Sequence, residues 1–237
     1  MLSESAVLAL VEGRHDDPFS VLGLHRDGEG ALWARALLPQ ARAVTLHEAA
    51  SGLRAARLLL RHSDGLWEAC VPRRRHRFDY RLHVQWSDGT QGRYADAYAF
   101  GLLLADAELE RQGTRGQVAD LLGAHPCEIE GVDGVRFAVS APAAVHVSVI
   151  GDFNGWDVRR HPLRYRHPFG VWEIFVPHAA AGDIYKFALT GSHGQRLPDM
   201  SDPCERASES GVGSASRVVA DGGDRVPLPQ VPVSSHN

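Results

Sequence analysis

The strongest constraint on the fold of this chain is an internal repeat with a spacing of about 105 residues. The segment Leu66–Pro72 reads LWEACVP, and the segment Val171–Pro177 reads VWEIFVP. Trp67 is followed by Trp172 at an offset of 105 positions, and a tyrosine pair further along shows the same offset. A repeat of this length indicates two copies of one structural unit. Each copy has about 100 residues, the size of an immunoglobulin-like domain.

Short apolar segments with a period of two occur throughout both copies, and each one ends at Gly, Pro, Ser or Asp. This pattern predicts strands of a β-sandwich or barrel. The predicted strands of the first copy are Leu32–Leu38, Ala43–His47, Ala56–Leu60, Leu66–Val71 and Phe78–Trp86. Those of the second copy are Val135–Val139, Val145–Ile150, Gly170–Val176 and Ile184–Leu189, with a candidate last strand at Ser216–Ala220.

Two segments have a helical composition instead. Residues 3–12 predict one short helix, with Ser3 as its N-cap and Gly13 as its stop. Residues 102–122 favour one or two short helices that join the modules. The sequence therefore predicts an all-β fold of two tandem immunoglobulin-like β-sandwiches with a short N-terminal helix and a short helical connector. The expected boundaries are 1–13 for the helix, 14–101 for the first sandwich, 102–124 for the connector, 125–221 for the second sandwich and 222–237 for a flexible tail.

Composition narrows the classes of function. The net charge is −4, which argues against a nucleic-acid or anionic-membrane partner. Three cysteines without metal-ligand spacing fit a reducing compartment, so we expect a cytoplasmic protein with no metal site. Nucleotide-binding and hydrolase motifs are absent from the sequence, so we expect no cofactor and assign no catalytic residue.

The segment Gly151–Asp157, which reads GDFNGWD, is the candidate functional feature of the second copy. It follows a buried strand and is rich in turn residues. Phe153 and Trp156 lie three residues apart, so one ring can anchor the turn while the other forms a flat platform. A platform beside Asp152 and Asn154 matches the chemistry of sugar binding, in which an aromatic ring stacks on the sugar and polar groups reach its hydroxyls.

The alternative is that Trp156 is an ordinary core tryptophan at the end of a strand, since tryptophan is highly buried on average. In the first copy the corresponding segment Glu48–Leu53 reads EAASGL and has neither aromatic residue. A residue needed only to fill the sandwich core should occur in both copies. The comparison therefore favours a surface role without excluding the core position.

Several motifs resemble the N-terminal region of bacterial glycogen branching enzymes, the 1,4-α-glucan branching enzymes of the α-amylase superfamily. These motifs are His15–Gly23, Gly134–Pro142, Gly151–Asp157, Gly170–Pro177 and Ile184–Phe187. The resemblance covers roughly residues 14–221 and implies two immunoglobulin-like sandwiches that precede a catalytic (β/α)8 barrel. It further implies that the second sandwich is a carbohydrate-binding module of type 48.

The resemblance implies a non-catalytic part of a glycosyltransferase that acts in glycogen biosynthesis, and its partner would be α-1,4-glucan or glycogen. The barrel is not in this sequence, so we expect the chain to be inactive alone, as a truncated or frame-shifted product or a fragment. Two alternatives stay open. One is a stand-alone glycogen-binding or regulatory module, and the other is a structural domain pair that docks on a partner protein. We expect a monomer that has contacts with the missing barrel.

The resemblance also implies site residues. Related glycogen-binding modules of kinase regulatory subunits stack sugar on two tryptophans beside a lysine, and here Trp156 matches the first tryptophan and Lys186 the lysine. The second tryptophan falls near Arg196, which is not aromatic. Loss of one such residue typically costs about 2 kcal/mol, so weak binding is expected. The candidate carbohydrate-binding residues are thus Trp156, Lys186, Asn154 and Asp152.

Overall fold

A computed structural model describes residues 2–110, 121–167, 169–207 and 215–220. It contains the helices α1 (Glu4–Val11) and α2 (Asp106–Glu110). The strands of the first module are β1 (Gly23–Arg26), β2 (Leu32–Leu37), β3 (Ala41–Glu48), β4 (Arg54–His62), β5 (Leu66–Cys70), β6 (Tyr80–Trp86) and β7 (Gln91–Tyr94). Those of the second are β8 (Gly123–Ile129), β9 (Val132–Ser140), β10 (Ala144–Gly151), β11 (Arg164–Arg166), β12 (Val171–Pro177), β13 (Ile184–Gly191) and β14 (Ser216–Arg217).

The first module is one antiparallel sheet, with strand order β1-β2-β5-β4-β3-β6-β7, that folds over on itself. The fold occurs at β4, whose first half pairs with β3 through Ala56 and Leu58. Its second half pairs with β5, where Leu60 lies opposite Trp67. Because one strand belongs to both layers, their inner faces enclose a single core that includes Leu46 and Trp67.

The second module is a sandwich of two separate antiparallel sheets. One has the order β11-β12-β9-β8 and the other the order β10-β13-β14. Phe137 and Ile174 of the first sheet are fully buried against Val149, Tyr185 and Phe187 of the second. The predicted pair of β-sandwiches is therefore confirmed.

Helix α1 connects the modules through its apolar side. The Ser3 hydroxyl accepts a hydrogen bond from the Ala6 N–H at 3.3 Å, which is the predicted N-cap. Val7, Leu10 and Val11 are buried in the core cluster that also contains the interior of the second sandwich. None of the helices in the described part of the chain has the length and apolar character that crossing a bilayer needs.

The first strand of each module, β1 and β8, also belongs to the internal repeat, although neither has an alternating apolar sequence. β1 starts in the sequence LGLH and β8 in LGAH, and Gly23 and Gly123 have φ angles of +92° and +95°. A Cβ atom on Gly23 would lie 2.9 Å from the carbonyl oxygen of Tyr98, and one on Gly123 would lie 3.2 Å from that of Cys204. Both the left-handed backbone and this close approach favour glycine.

The connector and the tail lie partly outside the described residues. Of the one or two helices predicted in the connector 102–124, the structure describes α2. Residues 111–120 lie outside the described ranges. β8 begins at Gly123, inside the predicted connector. The sequence did not predict this start, because GAHPCEI has no alternating apolar pattern. The strands β7 and β11 lack that pattern too. The predicted tail at 222–237 falls outside the described residues.

Candidate carbohydrate-binding site

The candidate site is a tight turn at the end of β10. The chain leaves the strand at Gly151, forms a single 3-10 turn over Asp152–Asn154, and passes through Gly155 and Trp156 with φ angles of +64° and +61°. A tryptophan in the left-handed region is uncommon and must be held there by its surroundings. Part of that restraint is the hydrogen bond from the Trp156 N–H to the Gly151 carbonyl at 3.1 Å.

The indole of Trp156 is exposed to solvent and fixed in direction. The side chain is 41% exposed, whereas the repeat tryptophans Trp67 and Trp172 are buried. The indole N–H donates a hydrogen bond of 3.2 Å to Asp152 Oδ1. Of the two positions that the sequence leaves open for Trp156, the structure shows the surface one.

Asp152 links this turn to the neighbouring strand. It is exposed, and its second oxygen, Oδ2, accepts a hydrogen bond of 3.3 Å from the Ile184 N–H at the start of β13. Lys186 lies two residues further along β13 and pairs with Ile150 of β10 in the sheet register. Lys186 is half-buried and belongs to the same end of the sheet as the turn.

Asn154 supports the turn from inside. It is 2% exposed. Its Oδ1 accepts a hydrogen bond from the Gly151 N–H at 3.0 Å, and its Nδ2 donates to the Val149 carbonyl at 2.9 Å. The same Nδ2 donates to Nδ1 of His161 at 2.9 Å. Because the amide is buried and engaged, it shapes the turn instead of presenting polar atoms to a ligand.

His161 is a structural partner of the turn that sequence reasoning did not identify. Burial of the ring, followed by the nearby charge of Arg160, lowers its pKa from 6.5 to about 3. A neutral ring is what allows Nδ1 to accept the hydrogen bond from Asn154. No sequence signal points to this contact, since His161 lies seven residues further along the chain.

Arg196, at the position of the second tryptophan, lies in a different environment. Its guanidinium forms an ion pair of 2.6 Å with Asp199. It lines a cavity of about 250 Å³ with His146, Thr190 and the segment that follows α1, Glu12–Arg14, and Trp156 is not part of that lining. Among the described residues, the lining of this cavity includes no Phe, Tyr or Trp that could act as a second platform beside Arg196. In the described ranges of the chain no group of three or more His, Cys, Asp or Glu residues could hold a metal ion.

Two family matches divide the chain in the same way as the fold. Residues 3–98 match the family described as alpha-1,4-glucan branching enzyme GlgB, N-terminal domain. Residues 121–204 match the family described as Carbohydrate-binding module 48 (Isoamylase N-terminal domain). The first range contains the folded-over sheet, and the second contains β8 to β13 with the Trp156 turn.

Three similar proteins are named 1,4-alpha-glucan branching enzyme GlgB or GlgB 2. The chain is 47% identical over 221 residues to 1,4-alpha-glucan branching enzyme GlgB of Cupriavidus necator, covering 90% of this chain and 29% of that protein. It is 48% identical over 218 residues to the protein of the same name from Burkholderia vietnamiensis, covering 90% of this chain and 28% of that protein. It is 46% identical over 221 residues to 1,4-alpha-glucan branching enzyme GlgB 2 of Rhizobium etli, covering 92% of this chain and 30% of that protein.

The chain thus spans about 30% of the length of the relatives that it matches. Both of its sandwiches match families, in the order that the resemblance implied, and the relatives match across both of them. The chain belongs to the GlgB branching-enzyme family and corresponds to its N-terminal region, an N-terminal domain followed by a carbohydrate-binding module 48.

Proposed function

We propose that this chain is the non-catalytic N-terminal portion of a 1,4-α-glucan branching enzyme and that it binds or positions α-glucan in glycogen biosynthesis. The observation that carries the proposal is the exposed Trp156 indole, fixed by Asp152 on a module whose family is named for carbohydrate binding. The names of the relatives suggest α-glucan as the carbohydrate, because each is called a 1,4-alpha-glucan branching enzyme. Glycogen is then the polymer that the turn contacts.

In the proposed complex the apolar face of one glucose unit stacks on the Trp156 indole. Asp152 keeps the ring in one orientation, and its carboxylate oxygens have further lone pairs that can accept hydrogen bonds from sugar hydroxyls. Lys186, at the same end of the sheet, supplies ammonium donors. Asn154 acts indirectly, because it holds the turn from the interior. One aromatic platform should give weak, millimolar-range binding, about −4 kcal/mol.

The whole enzyme would cleave an α-1,4 chain and rejoin it as an α-1,6 branch, and that chemistry would belong to a catalytic barrel beyond this region. The role of this region would be to hold the polymer near that barrel. We further propose a cytoplasmic monomer with no nucleic-acid or membrane partner, in keeping with the net charge of −4.

Electrophoresis through gels that contain glycogen tests the proposal. The chain should be retarded relative to a glycogen-free gel, and Trp156→Ala should clearly weaken the retardation. Trp33→Ala is a matched control, because the Trp33 indole also donates a hydrogen bond to an aspartate, Asp27, at 2.9 Å on the other module. Retardation that is undiminished in Trp156→Ala, or that falls equally in Trp33→Ala, would refute the proposed site.

The second candidate function is docking on a protein, and two exposed leucines favour it. Leu59 and Leu60 are neighbours on β4 and are 68% and 52% exposed. A catalytic barrel of the same enzyme is the partner that this reading requires. If docking is the role, glycogen gels should leave the chain unretarded, and Leu59→Ser/Leu60→Ser should weaken its association with a separately produced barrel.

A further inference from the structure

A cavity of about 300 Å³ is lined by residues of both sandwiches, and Trp156 is not part of its lining. The first module contributes Trp86 and Tyr94 to its lining, and the second contributes Asp152, Arg160 and Asp183. This volume is at the lower end of the range of about 300–1,000 Å³ that is typical of ligand sites. The cavity thus has room for a short ligand or for the end of a longer one.

The aromatic wall of the cavity is ordered by direct contacts. The Trp86 indole N–H donates a hydrogen bond of 3.0 Å to the Tyr94 hydroxyl, and the two rings meet nearly at right angles with centroids 5.9 Å apart. The Arg160 guanidinium lies 4.9 Å from the centroid of the Trp86 ring. Trp86 and Tyr94 are both half-buried, so each keeps part of its surface accessible. Aromatic rings with a polar edge are suited to the apolar faces and hydroxyl rims of sugars.

The charges of the lining select for a neutral ligand. Two carboxyl groups, those of Asp152 and Asp183, share the lining with one guanidinium, that of Arg160. The carboxyl of Asp96 also borders the cavity, but it is buried and accepts hydrogen bonds from the Tyr80 hydroxyl and the Tyr98 N–H. His161 also belongs to the lining, and its pKa of about 3 makes it neutral at physiological pH. An excess of negative charge disfavours phosphates and other anions, whereas carboxylates readily accept hydrogen bonds from hydroxyl groups.

One polar atom of this wall is unsatisfied. Nε of Arg160 is buried and has no hydrogen-bond partner within the ranges that the structure describes. Another nitrogen of the same guanidinium, Nη2, donates to the Pro39 carbonyl at 3.3 Å and so ties the side chain across the junction. Buried donors are usually paired, so an unpaired one beside a cavity points to a polar group that enters it.

Asp152 is shared by the junction cavity and the Trp156 turn. It lines the cavity, and its Oδ1 accepts the indole hydrogen bond of Trp156. We propose that the junction cavity is a second subsite for α-glucan, which takes the end of a short chain between Trp86, Tyr94 and Asp183. The proposal rests on the proposed function for the class of ligand, and it adds a binding surface to which both modules contribute. Neither module alone would form it.

Proton–nitrogen NMR correlation spectra of the labelled chain test this proposal, because each tryptophan indole gives its own cross-peak. Maltotriose is the probe. We expect the Trp86 and Trp156 indole peaks to shift saturably, and in Trp156→Ala the Trp86 peak should still shift with a dissociation constant within about twofold of the unaltered chain. Inorganic phosphate at the same concentrations should leave the Trp86 peak in place; a shift with phosphate would overturn the assignment to a neutral ligand.

Asp183→Asn isolates the cavity. The asparagine keeps an oxygen for the hydrogen bond that Asp183 accepts from the Ala180 N–H at 2.8 Å, so the loop should stay folded. The dissociation constant for maltotriose measured from the Trp86 indole peak should then rise by about threefold or more. The constant measured from the Trp156 peak should not change. Asp64→Asn, in the turn after β4, is the matched control and should change neither constant. An unchanged Trp86 constant in Asp183→Asn would overturn the role of this carboxylate.

The failures of the two proposals are distinguishable. A shift of Trp156 with no response of Trp86, or a Trp86 response that vanishes in Trp156→Ala, overturns the second subsite and leaves the proposed function in place. A shift of Trp86 without one of Trp156 overturns the Trp156 platform and supports the junction subsite. If neither the Trp86 nor the Trp156 peak shifts in millimolar maltotriose, both the Trp156 site and the junction subsite are overturned.

Discussion

The Tyr185 hydroxyl donates a hydrogen bond of 2.6 Å to Asp202 Oδ2 in the second sandwich, and the Tyr80 hydroxyl donates one of the same length to Asp96 Oδ2 in the first. In both modules the other oxygen of the aspartate accepts the backbone N–H two residues further along, at 2.8 Å and 3.0 Å. All four side chains are buried. The two copies thus attach the segment that follows their hairpin to their core with the same polar contact.

Tyr185→Phe should lower the free energy of unfolding by about 1–3 kcal/mol, because it removes a donor and leaves a buried oxygen of Asp202 with fewer partners. Burial already raises the pKa of Asp202, although the Tyr185 hydroxyl counteracts this rise. Urea denaturation followed by circular dichroism measures the change. Tyr165→Phe, at a half-buried ring on β11, should cost clearly less. Equal losses in the two variants would contradict a special role for the hydrogen bond.

Asn154→Ala should destabilise the chain by about 1–3 kcal/mol, because the Gly151 N–H and the Val149 carbonyl each lose a buried partner. The same change should weaken retardation in glycogen gels, even though Asn154 is too buried to contact a sugar, because the turn no longer holds Trp156 in its left-handed conformation. Thermal unfolding and the glycogen gel give the two readouts. Unimpaired retardation in a destabilised variant would show that the turn does not need this support.

The folded chain should lose stability as the pH falls from about 6.5 to about 3, through His161. Its pKa is about 3 when folded, against an ordinary value of 6.5, because burial and then Arg160 disfavour the charged ring. Between these values the unfolded chain binds a proton that the folded chain does not, so acid favours unfolding. The stabilisation is complete above pH 6.5.

His161→Gln removes this titration and keeps an oxygen that can accept the hydrogen bond from Asn154. Urea midpoints measured between pH 4 and pH 7.5 should therefore depend less steeply on pH in the variant than in the unaltered chain. Taking the difference between the two proteins cancels the contributions of groups common to both. Parallel curves would show that His161 does not titrate differently in the folded and unfolded chains.

Arg166→Met should be destabilising, by about 3 kcal/mol, because it removes the closer charge partner of the buried Glu173 carboxylate, at 3.0 Å, and leaves only Arg164 at 3.8 Å. Glu173 also accepts hydrogen bonds from the Leu103 and Leu104 N–H groups, at 3.1 Å and 3.2 Å, so it fixes the start of the connector. The double variant Arg166→Met/Glu173→Gln should recover part of the loss in urea denaturation. A double variant that is less stable than the single one would show that the buried charge of Glu173 is not what destabilises Arg166→Met.

The sequence alone determined the number of modules and their class. Alternation with a period of two is a local property, so it identifies strands such as β3, β6 and β12 without knowledge of their partners. The offset between Trp67 and Trp172 then showed that the modules are copies. The repeated LGLH and LGAH motifs were a further signal, for the strands β1 and β8, which have no apolar alternation.

The tertiary structure alone decided what each residue of the candidate site can do. Trp156 and Asn154 are two positions apart in one turn, yet the first is exposed and the second buried. Burial depends on contacts from distant parts of the chain, here His161 and the strand after Asp183, and no local pattern encodes those contacts. The same holds for the cavity between the modules: Trp86 and Arg160 are separated by 74 positions and meet only because the two sandwiches pack together.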